Sequence, residues 1–239
     1  MNLLTAVFIC CIVAIGFLST YSIQNRFTFE ERLIFGIILG VMEVSLLGFF
    51  LSWAFSVNQT IILSTSAILL SVNAVMAFRH RTVLIADYEN LIIRSRRKWS
   101  DPTSPKIPII LMAASSFLTT RIMQIAYSGT DSGGVAVSHL SAYGDWSAHL
   151  SYAASFAYSD NFPPELPTAT GESFSYHFGV DWFSAMFVPL GNNIFSSMEI
   201  STILLASALT PILYFGYQRF VSSNRAALFA VLIFLLSGG

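Results

Sequence analysis

The sequence predicts an all-α protein, a polytopic transmembrane helical bundle with an extracytoplasmic loop containing short surface helices. Two observations carry this prediction. Hydrophobic residues make up 54% of the 239 and charged residues only 10%, against about a quarter charged in soluble domains. The apolar residues also gather in long runs rather than in an amphipathic rhythm, raising the mean hydropathy to +0.66, which is the pattern of membrane spans. A net charge of -1 leaves no basic surface for nucleic acid.

Six apolar segments follow in order: Leu3–Thr20, Leu33–Phe55, Ile61–Phe78, Ile107–Tyr127, Ile200–Tyr217 and Ala226–Gly239. Crossing a ~30 Å hydrocarbon core at about 1.5 Å per residue takes about 20 helical residues. The first five segments meet this length. The sixth is short, and the chain is expected to be an N-terminal portion of a longer protein. No Lys or Arg precedes the first segment and no Ala-x-Ala cleavage signal follows it, so it reads as a retained helix rather than a signal peptide. Cys10 and Cys11 are adjacent within it and suggest no disulfide framework. The chain divides into a three-span region with a basic loop, 1–106, and a second region, 107–239, holding span 4, a long loop, span 5 and the short sixth segment.

Basic residues set the orientation. Eleven of the twelve Lys and Arg fall in the connections after spans 1, 3 and 5. Alternating crossings put these three connections on one side, and positive residues mark the cytoplasm. The N-terminus and residues 128–199 are then extracytoplasmic. The cytoplasmic segment Arg79–Lys106 is a topology determinant, and its Arg94-Ser95-Arg96-Arg97-Lys98 run is placed against anionic lipid headgroups. Asn58-Gln59-Thr60 is a glycosylation sequon on a short external turn.

The external segment concentrates the chemistry. It contains three of the four histidines and seven of the thirteen acidic residues, in a loop longer than structural connection requires. A first helix is expected from Asp145, a cap or first-turn residue, to about Tyr158. Asp145, His149 and Tyr152 share one of its faces, and Trp146, Leu150, Ala153 and Ala157 form an apolar face beside it, as on a membrane-surface helix. Prolines 163, 164 and 167 stop it and give an extended, stiff stretch. A second helix is expected from about Ser173 to Val188, with His177, Asp181 and Ser184 on one stripe. The two stripes mirror each other as Asp-x-x-x-His and His-x-x-x-Asp. Facing one another, Asp145, His149, His177 and Asp181 form a carboxylate–imidazole cluster suited to general-base work. The same four can ligate a divalent metal. The plainer alternative is that Asp145 caps its helix and His177 bonds a loop carbonyl.

Arg121, near the outer end of span 4, either snorkels to the headgroups or faces a cavity and holds a phosphate. Glu43 is an intramembrane carboxylate, either functional or paired with Asn73 or a hydroxyl. Pro211 is expected to kink span 5. Tyr143 and Trp146 offer flat faces on which a sugar can stack.

The stretch Gly144-Asp145-Trp146-Ser147-Ala148-His149, with Asn161-Phe162-Pro163-Pro164-Glu165, Gly171-Glu172 and Tyr176-His177-Phe178, resembles a group of prokaryotic membrane proteins similar to the GT-C superfamily of lipid-linked-sugar glycosyltransferases. The resemblance covers about residues 120–190. It implies a polyprenyl-phosphate-linked sugar donor and catalysis on the extracytoplasmic face of a prokaryotic plasma membrane. It also implies that Asp145, the acidic residue at the membrane end of the loop, is the base or acceptor-positioning group. Glu172 and Tyr176, together with Arg121, Tyr143 and Trp146, are the corresponding substrate-binding candidates. A non-enzymatic transporter or envelope assembly protein is the other class, favoured by Glu43, Asn73 and Pro211 in the spans. Against it, the polar residues gather outside the membrane rather than at its midplane.

Overall fold

The computed structural model describes residues 2–23, 27–96, 105–129, 135–137, 145–169, 171–221 and 223–236, with side chains described outside 126–144. Among them the elements run α1 (Leu3–Ile23), α2 (Phe29–Phe55), α3 (Gln59–Arg79), α4 (Arg81–Ser95), α5 (Lys106–Ala126), β1 (Tyr127–Gly129), β2 (Val135–Val137), α6 (Asp145–Ser159), α7 (Gly179–Ala185), α8 (Ile194–Val221) and α9 (Asn224–Leu236). The two strands pair antiparallel, Ser128 opposite Ala136. Helices α1, α2, α3, α5 and α8 are long and apolar enough to cross a membrane, and α9 is a shorter apolar helix. The chain is therefore a polytopic α-helical membrane protein, with its five full spans where the hydropathy put them.

Polar residues just before the apolar runs start these helices. The Asn2 Oδ1 accepts from Thr5 N at 2.8 Å, Asn58 Oδ1 from Ile61 N at 3.0 Å and Asn193 Oδ1 from Ser196 N at 2.8 Å. Before α2, Thr28 and Glu31 form a reciprocal capping box: Thr28 N donates to Glu31 Oε2 at 2.8 Å and Glu31 N to Thr28 Oγ1 at 3.4 Å. Each arrangement satisfies first-turn N–H groups that have no partner inside the helix. Asn58, the sequon residue, is thus also the cap of α3 through its amide oxygen.

Contacts group the chain into two compact units rather than into 1–106 and 107–239. The first holds Met1–Ile12, Val41–Leu69 and Leu118–Ile203; the second holds Val13–Gly40, Leu70–Phe117 and Leu204–Gly239. In a bundle, packing between neighbouring helices outweighs continuity along the chain, so the 1–106 and 107–239 regions each contribute to both units. Of the described basic residues, Arg32, Arg79, Arg81, Arg94, Arg96, Lys106, Arg219 and Arg225 belong to the second unit and only Arg121 to the first.

In the second unit α1 and α2 meet through glycines. A Cβ on Gly16 would lie 1.8 Å from Gly36 O and 2.4 Å from Gly40 N, and one on Gly36 would lie 2.6 Å from Phe17 N. Only residues without a side chain allow backbones this close. Ile34, Tyr214, Phe215, Ala227 and Val231 form a buried apolar cluster joining α2, α8 and α9. Ser19 donates to Asn73 Oδ1 at 2.7 Å. Helix α8 continues through Pro211, and the Ser115 hydroxyl of α5 donates to Ala206 O at 2.7 Å while accepting from Thr210 at 3.0 Å.

The start of α2 is an ionic junction in the same unit. Glu30 takes both Arg94 guanidinium nitrogens, with Nη2 donating to Oε2 at 2.7 Å. Glu31 pairs with Arg219 at 2.8 Å, and Arg32 with Asp87 at 2.9 Å. Arg32 is fully buried, donates also to Thr20 O at 2.7 Å and lies 4.2 Å from the Tyr21 ring centre. Arg94 is thus engaged with Glu30 rather than with headgroups as the sequence suggested.

Candidate functional site

The site lies in the first unit, on α6 and α7 and the loop between them. Helix α6 starts at Asp145 as expected, but its buried face is not the expected one. Ala153 and Phe156 are its fully buried residues, and Tyr152 packs edge-on against Phe174 at 4.8 Å between ring centres. His149, four residues before Ala153, belongs to this inward face. Trp146, Leu150 and Ala157 are only half-buried. After Ser159 the chain turns at Asp160, whose φ is +50°, and whose carboxylate accepts from Val57 N at 2.8 Å.

The proline stretch is not simply extended. The Phe162–Pro163 bond is cis. The Asn161 side chain grips the backbone of Glu165, donating to its O at 2.7 Å and accepting from its N at 2.9 Å. The following residues fold back as a narrow loop: Leu166 N donates to Glu172 O at 2.8 Å and Phe174 N to Pro164 O at 3.1 Å, with Glu165 opposite Ser173. The second helix is consequently shorter than expected, Gly179–Ala185 instead of Ser173–Val188. Ser173-Phe174-Ser175-Tyr176 alternates polar and aromatic residues, a strand-like period of two that hides Phe174 and exposes both serines. The helix runs from exposed Gly179 and Val180 into the fully buried segment Asp181–Ala185.

This geometry sorts the four clustered candidates. His149 and Asp181 come together: the Nδ1 of His149 lies 2.9 Å from Asp181 Oδ1 and 3.1 Å from Oδ2. The Asp181 side chain is 2% exposed and that of His149 33%. His177 is outside the helix, exposed, and stacked on Tyr176 with ring centres 5.0 Å apart; its expected i, i+4 relation to Asp181 does not form. Asp145 is exposed in the first turn of α6. Among the described residues no three His, Cys, Asp or Glu side chains gather as a metal-holding group. The four-residue divalent-metal set read from the sequence is therefore not assembled, because the two helix stripes meet at one pair only.

Aromatic rings explain the character of that pair. Phe49, Phe156, Phe162, Phe174, Phe178 and Trp182 form a linked set of ring contacts around α7. Trp182 anchors the set by donating its Nε1–H to Ser45 O of α2 at 2.8 Å. Burial pushes the Asp181 carboxyl up to about 6, and His149 acts in the opposite direction by charge and hydrogen bonding. When Asp181 is ionised, Nδ1 carries the ring proton and donates it to the carboxylate. The lone pair is then on Nε2, which has no hydrogen-bond partner among the described residues. Tyr152 and Tyr176 flank the imidazole, each with its ring centre 6.0 Å away. Such a pair can accept a proton at Nε2 and stabilise the resulting imidazolium.

The remaining candidates have more ordinary settings. Arg121 is exposed and donates to Gln124 Oε1 at 2.7 Å. Glu172 is exposed and Trp146 half-buried. Tyr143 lies outside the described residues. The sequence reading gave no site role to Phe49, Phe156 and Phe162, which pack with Trp182 of α7; no local pattern links residues of α2 to those of the loop.

No family model, curated protein or solved structure matches the chain.

Proposed function

We propose that the protein is a glycosyltransferase of the extracytoplasmic membrane face that uses a polyprenyl-phosphate-linked sugar, with His149 as general base and Asp181 as the group that orients it. The observation that carries this reading is the buried carboxylate clasping one imidazole nitrogen at 2.9 and 3.1 Å. An acceptor hydroxyl gives its proton to His149 Nε2 as its oxygen bonds to the anomeric carbon. The bond from that carbon to the phosphate oxygen breaks, and the lipid phosphate leaves with the electron pair. Tyr152 and Tyr176 beside the imidazole suit a sugar ring, whose C–H face packs on aromatic surfaces. Arg121, at the outer end of α5, is the proposed phosphate contact. This reading moves the base from Asp145 to His149, since Asp145 is solvated and His149 is the group held in place by a buried partner.

The test is transfer of sugar from a polyprenyl-phosphate donor by the purified full-length protein. His149→Gln should lower turnover by about 10²–10⁴-fold, the usual contribution of a positioned base. Arg121→Gln should mainly weaken donor binding. Near-normal turnover in His149→Gln would overturn the assignment of the base.

A further inference from the structure

Helix α4 carries a surface that is only partly covered among the described residues, where Tyr88 meets Phe29 of α2 edge-on with ring centres 6.1 Å apart. No residue of α4 is fully buried. Leu84, Asp87, Leu91 and Arg94, spaced three and four apart, are half-buried, and Asp87 and Arg94 make the ion pairs to α2. A second stripe, one residue further on and so about 100° round the helix, repeats with the same period. Ile85, Tyr88 and Ile92 are 53%, 53% and 41% exposed, and exposed Arg81 and Arg96 continue the stripe at its two ends. Glu89 is the acid beside it. The result is an apolar stripe closed off by a cation at each end.

The lie of α4 follows from its ion pairs. Glu30 and Arg32 are two residues apart on α2, about 3 Å along its axis, whereas their partners Arg94 and Asp87 are separated by about 10.5 Å along α4. Helix α4 is thus tied at its middle, through Asp87, and near its end, through Arg94, to the start of α2. It follows a break at His80, whose ψ is 19° and whose carbonyl accepts from Val83 N and Leu84 N. Only His80 separates α4 from the end of the apolar helix α3, and α5 begins at Lys106. A helix that starts at the end of one span and is bound along its length to the start of another stays at the depth of the membrane interface.

We infer that the outer face of α4 docks on an anionic bilayer surface, with Ile85, Tyr88 and Ile92 in the acyl–headgroup boundary and Arg81 and Arg96 among the anionic headgroups. An apolar stripe supplies burial and the terminal arginines supply charge complementarity, the combination that holds interfacial helices. Because Arg94 and Asp87 are engaged with α2, the helix joins the lipid surface to the ionic junction of the second unit.

The test uses the full chain in nanodiscs of phosphatidylcholine, alone or with a third phosphatidylglycerol. Single cysteines at Ile92, on the stripe, and Asn90, on its flank, carry a polarity-sensitive fluorophore. Brominated acyl chains should quench the Ile92 label several-fold more than the Asn90 label, and aqueous iodide should do the reverse. The contrast should grow with phosphatidylglycerol, and Arg81→Gln with Arg96→Gln should abolish that growth; neither arginine is part of the α2 junction. Equal iodide access at both positions in both lipids would overturn the inference. Quenching that ignores the anionic lipid would overturn the role of the arginines. Protection of Ile92 only in discs holding two copies would assign the face to a second copy and overturn it as well.

Discussion

Asp181→Asn separates the cost of the buried carboxylate from its use. Burial moves the Asp181 carboxyl from its ordinary 3.8 to about 6. At 1.36 kcal/mol for each pKa unit, ionisation is less favourable in the folded protein than in the unfolded chain by about 3 kcal/mol. The pair with His149 is already part of this balance and does not reverse it. The sign follows: a raised folded-state pKa adds stability that is fully present below pH 3.8 and lost as the pH rises through about 6. Asparagine has the same shape, carries no charge and still accepts from His149 Nδ1. Asp181→Asn should therefore be more stable than the parent at pH 7.5, by up to about 3 kcal/mol, and equal to it near pH 4. Its transfer activity should fall, because an amide stabilises the imidazolium far less than a carboxylate does. Thermal unfolding of both proteins in one detergent, at pH 4 and pH 7.5, measures the difference. A variant less stable than the parent at pH 7.5, or a gap unchanged between the two pH values, would refute the argument and mean that the ion pair outweighs burial.

Two further outcomes are expected. Gly16→Ala should destabilise by about 1–3 kcal/mol or more, since its Cβ meets rigid backbone rather than a side chain that can swing away, whereas Gly216→Ala, with no atom within 4 Å of the added carbon, should be neutral or slightly stabilising; unfolding of the two variants side by side checks this. Cysteines at Ser95 and Thr168 should label from opposite sides of intact cells with a membrane-impermeant reagent, the orientation proposed from the basic residues in the connections after spans 1, 3 and 5, and labelling from one side would remove the topology on which the transferase reading stands.

The spans were legible because apolar length alone decides them in a bilayer, whereas their starts at Thr28 and Asn58 were not read, since a cap is set by one polar residue outside the apolar run. Helix α6 was found at its first residue, yet its inward face was misjudged. Ala153 was on the expected face, but Tyr152 and Phe156 turn inward onto Phe162, Phe174, Phe178 and Trp182 of the loop and α7, and such distant rings give the helix no local mark. The second helix was read too long because His177, Asp181 and Ser184 happen to fit a helical spacing, while the alternation of Ser173 to Tyr176 was the competing signal that won. Both members of the His149–Asp181 pair were expected in one cluster across the two helices, and the structure keeps that meeting while leaving Asp145 and His177 outside it. The ionic junction was invisible for a similar reason: Arg219 and Glu31 are 188 positions apart, and pattern along the chain says nothing about such partners.

The chain's first residues are fastened to some of its late ones. Asn2 Nδ2 donates to Leu190 O at 2.8 Å, and Asn192 Nδ2 to Thr5 Oγ1 at 2.5 Å, while Phe8 meets Phe187 edge-on at 5.3 Å. The glycine crossing of α1 and α2 needs only the first 40 residues. During synthesis the two ends of α1 thus mature at different times. Its C-terminal half can lock against α2 as soon as that helix has been made, whereas Phe8 and Thr5 wait for Phe187 and Asn192 to leave the ribosome. Long-range closure of this kind is the slow part of folding. The His149–Asp181 pair lies in that same late-closing unit.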